Sequence, residues 1–137
     1  IAHSKSPLIH RFWLDELGLA GAYGRRQVAP DALADYLAAA RADPAWRGCN
    51  VTIPHKVAVM DLVADPGNIR GTIGAMNTIM RQPDGAVIGT NTDAAGFYAP
   101  LAELDLEGAP VVVIGAGGAA RAVLFALRAA RAAAALH

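Results

Sequence analysis

The stretch "PVVVIGAGGAARAVLFALRAA", Pro110 to Ala130, decides the architecture of this chain. Val111, Val112, Val113 and Ile114 form an unbroken β-branched run, the pattern of a strand buried in a parallel sheet. Glycines at 115, 117 and 118 break the run, and the alanine- and leucine-rich segment that follows reads as an apolar helix. Strand, tight turn and helix in that order make the opening βα unit of a dinucleotide-binding fold. Gly115, Ala116, Gly117, Gly118, Ala119 and Ala120 fit G-x-G-x-x-A, with a small residue at the third position, where helix and strand approach closely. Amides at the start of such a helix can cradle a pyrophosphate, aided by the positive end of the helix dipole. Without its flanks the motif would be an ordinary tight turn; the strand before it and the helix after it point to a nucleotide. The residue that separates NAD from NADP falls about 20 positions further on, at or beyond His137, so the motif does not read the cofactor's phosphate. The alanine run at 132–136 reads as more helix. A single βα unit cannot form a sheet, and this part of the chain is expected to need strands that the sequence does not contain.

Upstream the pattern differs. Ser6-Pro7 ahead of LIHRFWLDELG has the form of a helix start, with Ser6 as cap, Pro7 in the first turn and Gly18 as the stop. YGRRQV is a candidate strand, and a second helix is expected from Pro30 to Asp43-Pro44. "CNVTI" reads as a strand, and KVAVMDLVAD as a helix ending at Pro66-Gly67. MNTIMR and AVIGTN form a hairpin signal around Gln82-Pro83-Asp84-Gly85, where proline presets the bend and glycine is free to take positive φ. DAAGFYAPLAEL is a helical connector interrupted at Pro100. The expected fold class is α/β: a mixed α/β domain over 1–93, then a connecting helix and a truncated Rossmann-type, doubly wound domain over 94–137. At 137 residues the chain has the length of one domain with parts of two, which suggests a truncated chain.

Twelve acidic and twelve basic side chains cancel. Nothing in that balance favours a phosphate backbone or an anionic membrane, and a small-molecule partner fits better. The longest uncharged apolar stretch, Gly108 to Ala120, is too short to span a bilayer. One cysteine, Cys49, and a start without secretory-signal character suggest a reducing cytoplasm. His3, His10, His55 and His137 have no metal spacing, so no metal is assigned. Cys49 has no evident base nearby and reads as a small buried residue.

Only two of the twelve basic residues are lysines, Lys5 and Lys56. Lys56 follows Pro54-His55 at an expected helix start, where the dipole disfavours its charge. As a surface group it would be a mild defect; as a functional group its pKa would fall from about 10.4 toward a useful range for donating a proton, a task closed to arginine. Ser4 and Ser6, two apart, would point the same way in extended chain and could both donate to one carboxylate, although Ser6 could equally serve only as a cap. Asp93 reads as an N-cap, and Asn77 and Asn91 as turn residues. Thr52, Asn77 and Asp93 nevertheless all lie at ends of extended segments, where a sheet offers polar groups to a cleft.

HSKSP, NVTIPHK, GAMNT, GTNTD and VVVIGAGGAARA, in this order, closely resemble the shikimate dehydrogenase family, and the match spans essentially the whole chain. The resemblance implies a substrate domain for shikimate and 3-dehydroshikimate followed by a Rossmann domain, with NADP-linked reduction of 3-dehydroshikimate in aromatic amino acid (chorismate) biosynthesis. It implies Ser4 and Ser6 for the substrate carboxylate; Thr52, Lys56, Asn77 and Asp93 around the ring hydroxyls; and Lys56 with Asp93 as the catalytic pair. Gly115, Ala116, Gly117, Gly118 and Ala119 resemble the pyrophosphate turn, and Arg121 could meet a phosphate or face solvent. Met76 stands where valine is common in the family. NAD is a second candidate cofactor, quinate a second candidate substrate, and a binding-only fragment a candidate from another class. Glutamyl-tRNA reductase-like chemistry would need a cysteine nucleophile and a basic surface. A homodimer is compatible with the resemblance, and the 137-residue chain alone is expected to lack turnover.

Overall fold

Proline lacks the amide that the first turn of a helix leaves unused, and Pro7 sits in that turn of α1 (Ser6–Glu16). The cap differs from the expected one. Ser6 lies inside the helix, and its amide donates to Ser4 Oγ at 3.2 Å. Ser6 O in turn accepts from His10 Nδ1 at 2.9 Å. His10 stacks on Tyr23, with ring centroids 3.9 Å apart. The computed structural model describes all residues, Ile1 to His137, as two units, Ile1–Ala32 and Leu33–His137. In the first unit the apolar face of α1 is present but exposed, with no residue of the helix buried. The expected strand at 23–28 does not form: charged Arg25 and Arg26 interrupt the apolar alternation, and no ladder partner pairs with it.

The second unit begins with α2 (Leu33–Ala42), which buries Leu33, Leu37 and Ala40 at helical spacing. Its C-terminal carbonyls are collected by one side chain: the Arg81 guanidinium donates to Ala40 O, Arg41 O and Asp43 O at 2.8–3.1 Å. Three antiparallel strands follow in the order β1 (Gly48–Asn50), β2 (Thr78–Arg81), β3 (Val87–Thr90). Gly85 takes φ +88 in the β2–β3 turn, as the Pro-Asp-Gly sequence requires.

Between β1 and β2 the expected helix over 56–65 shrinks to a single 3-10 segment, Ala58–Leu62. Val57, Val59 and Val63 are β-branched and weaken a helix, and Ala64 is drawn toward β3 instead. Its amide donates to Val87 O, and its carbonyl accepts from Gly89 N. A short helix, α3 (Ile69–Thr72), unforeseen in the sequence, is held by both oxygens of Asp65 on the amides of Ile69 and Arg70.

Helix α4 (Asp93–Tyr98) leads through a 3-10 turn at Pro100 to β4 (Pro110–Val113), the glycine turn and α5 (Gly118–Ala129). The alanine run then overturns its helical reading. Residues Ala133–Leu136 form β5, parallel to β4. Arg131, at φ +59, turns the chain back, and the β4 backbone offers a ladder that a helix at this point would leave unpaired. The βα unit is thus a complete βαβ unit. Ala122 and Ala126 of α5 pack against Ala94 of α4 and Ile73.

Candidate active site

Four polar residues gather where β2, β3 and α4 meet. The peptide of Met76 donates to Lys56 O at 2.7 Å, and that of Asn77 to Thr90 O at 3.1 Å, so backbone bonds bring Lys56 and Asn77 to one sheet end. Asn91 completes the scaffold. Its Oδ1 accepts from the amides of Asp93 at 2.9 Å and Ala94 at 3.2 Å, while its Nδ2 donates to Ala75 O at 2.8 Å. Asn91 therefore caps the first turn of α4, the task the sequence reading had given to Asp93.

Freed from capping, Asp93 faces inward. Lys56 Nζ donates to its Oδ2 at 2.6 Å, with side chains 15% and 32% exposed. Asn77 Nδ2 donates to its Oδ1 at 2.7 Å. Asn77 is the single buried polar residue of the chain and is fully engaged. Its Nδ2 also reaches Thr92 Oγ1 at 2.9 Å, and its Oδ1 accepts from Thr92 N at 2.9 Å and Thr78 Oγ1 at 3.0 Å. A buried amide with this many partners has one orientation, and it holds the carboxylate in one orientation too.

The dipole reading of Lys56 is overturned. The lysine precedes a single 3-10 turn rather than a helix, so the helix expected to follow it in the chain supplies no macrodipole. Its defining neighbour is a carboxylate from a segment 37 residues away. Of the other expected residues, Thr52 is exposed and outside this hydrogen-bonded group, and Ser4 and Ser6 belong to the first unit. The sequence reading passed over Thr78 and Thr92. Their positions beside Asn77 in N-T and before Asp93 in N-T-D were the available signal.

The glycine turn fits a dinucleotide. Gly115 adopts φ +113, which disfavours any other residue, and a Cβ on Gly115 or Gly117 would meet nothing within 4 Å. The first bond of α5 runs from Arg121 N to Gly117 O, leaving the amides of Gly118, Ala119 and Ala120 without acceptors in the protein. No group of His, Cys, Asp or Glu is arranged to hold a metal ion.

Residues 1–79 match the family model for the shikimate dehydrogenase substrate binding domain, more than half of the 137. The chain belongs to the shikimate dehydrogenase family. It is 79% identical over 127 residues to the NADP(+) shikimate dehydrogenase of Sphingopyxis alaskensis, covering 93% of this chain and 46% of that protein. The shikimate 5-dehydrogenase of Thermus thermophilus, solved in complex with NADP(H) and shikimate, superposes with a TM-score of 0.85 at 40% identity, over 98% of this chain and 51% of that one. The ligand-free 5-ketofructose reductase of a Gluconobacter species also superposes, with a TM-score of 0.82 at 36% identity, over 98% of this chain and 49% of that one. The chain spans about half the length of the shikimate dehydrogenases it matches. These likenesses bear out the α/β fold class, a mixed α/β region leading into a Rossmann-type βαβ unit.

Proposed function

We propose that this chain carries the substrate half, and the opening of the cofactor half, of an NADP-dependent shikimate dehydrogenase that interconverts 3-dehydroshikimate and shikimate. Residues 1–93 form the substrate-binding part and 94–137 begin the cofactor-binding part. The observation that carries this reading is the chain of contacts from Lys56 through Asp93 to Asn77, part-buried at one sheet end and joined by bonds of 2.6 and 2.7 Å. An ammonium aimed at a carboxylate that is itself fixed by a buried amide is a pre-set proton-transfer pair.

In the reductive direction, negative charge develops on the carbonyl oxygen of the substrate. Lys56 stabilises that charge and delivers its proton, Asp93 orients the resulting hydroxyl, and solvent water returns a proton to the Lys56 amine beside the Asp93 carboxylate. Asn77 holds Asp93 and borders the same ring hydroxyls. Ser4 and Ser6 take the substrate carboxylate by hydroxyl donation, and Thr52 contributes a further hydroxyl at the ring. Backbone amides from Gly118 to Ala120, with the open faces of Gly115 and Gly117, hold the pyrophosphate of NADP. When bound, the nicotinamide supplies or accepts the hydride.

The test is the initial rate of NADP reduction by shikimate, measured on residues 1–137 within a protein of the length its relatives have, beside Lys56→Ala. The expected result is a rate that falls about 10²- to 10⁴-fold in the variant while shikimate still binds. Turnover of quinate but not shikimate would replace the substrate, and no turnover of either by folded protein would overturn the reading.

A further inference from the structure

The glycines of the dinucleotide turn answer different demands. Gly115 needs its positive φ, and Gly117 has open space around it. Gly118 has neither feature. It is the first residue of α5, in ordinary helical backbone, yet a Cβ built on it would lie 3.0 Å from Lys56 Cβ, 3.1 Å from Lys56 Cδ and 3.4 Å from Ala75 Cβ. Close approach of a side chain from another segment is what this glycine permits.

We infer that Gly118 is a positioning residue for Lys56: its bare backbone lets the lysine stem lie against the start of α5, and that seat sets the ammonium on Asp93. The inference rests on the role proposed above for Lys56. The mechanics follow from what can move. Lys56 Cβ is tied to a backbone whose carbonyl already accepts from Met76 N at 2.7 Å, so it has little freedom to retreat. Relief of an added methyl group falls on Cδ, two bonds from the ammonium. At 2.6 Å the contact between Nζ and Asp93 Oδ2 has no slack to absorb that displacement. Asp93 is referenced to the same helix, because Ala94, the next residue, packs on Ala122 and Ala126 of α5. One helix thus gauges both members of the pair, and the turn read as a phosphate cradle also seats the proton donor.

The experiment uses the 137-residue chain with ¹³C-labelled lysine. Two lysines give two sets of side-chain signals, assigned with Lys5→Arg. In the parent chain, cross-relaxation is expected between Gly118 Hα and the Lys56 methylene protons. In Gly118→Ala the Lys56 Cε signal is expected to move in the direction produced by Asp93→Asn. Gly117→Ala, which adds a methyl group to the same turn in open space, is expected to leave it at the parent position. Lys5 stays still throughout. Absence of the cross-relaxation in folded parent, or a Lys56 signal that responds equally to the two alanine substitutions, would overturn the inference. The parent measurement decides the matter even if Gly118→Ala fails to fold. None of these readouts uses turnover, so failure of the proposed activity and failure of this inference are separately visible.

Discussion

Asn91 uses both ends of one amide to hold three backbone groups, the amides of Asp93 and Ala94 in the first turn of α4 and the carbonyl of Ala75. Asn91→Ala is expected to lower stability by about 1–3 kcal/mol, read as a shift in urea midpoint at constant slope, because two helix amides lose their cap and a carbonyl its donor. Asn91→Asp, which keeps the acceptor, should lose less. Cys49 offers a second check on a single side chain. Burial pushes its thiol above the ordinary range, against an opposing hydrogen bond with Tyr36. A thiol that holds its proton more tightly in the folded chain makes stability fall as pH rises above the unfolded value of about 8.5, since the unfolded chain then binds fewer protons. Native chain should accordingly react more slowly with a thiol-directed reagent than urea-unfolded chain at the same alkaline pH, and equal rates would contradict the burial argument.

Among elements, β3 shows how little room the sheet leaves. A Cβ on Gly89 would collide with Met76 Sδ and lie 2.8 Å from Val63 Cγ2. Gly89→Ala is expected to cost about 1–3 kcal/mol by overpacking, measured by thermal or denaturant unfolding, and Met76→Ala in the same chain should recover part of it. Elements with strong local signals were legible in the sequence. The Pro-Asp-Gly hairpin formed as read, and so did α2, with Leu33, Leu37 and Ala40 on one face. Two of the failures share a cause: the tertiary ladder outvoted the local pattern. Ala64 left the expected helix to meet β3, and Ala133–Leu136, good helix formers alone, became β5 because β4 had an open edge beside them. The site was legible as a set of residue types at strand ends. What no spacing revealed was which group caps α4, and that choice decides whether Asp93 points at its own helix or at Lys56.

On the scale of the whole molecule, the seam between α4 and α5 matters most, since it is built from Ala94, Ala122 and Ala126 and closes at alanine distance. Ala122, with no exposure, has nowhere to put a larger side chain. Ala122→Leu is expected to destabilise the chain by about 1–3 kcal/mol and to move the Lys56 side-chain signals as well, because α5 cannot shift without carrying Gly118. An unchanged Lys56 environment in a destabilised variant would separate seam from site. The ion pair has one more consequence, and it concerns how the molecule can be handled. Lys56 has its amine occupied by Asp93 and its side chain 15% exposed, whereas Lys5 is exposed. Amine-directed coupling at neutral pH, whether to a sensor surface or a fluorophore, would take hold of this 137-residue chain near its first helix and spare the Lys56–Asp93 ion pair, so that arginine usage elsewhere in it leaves a built-in point of attachment without a tag.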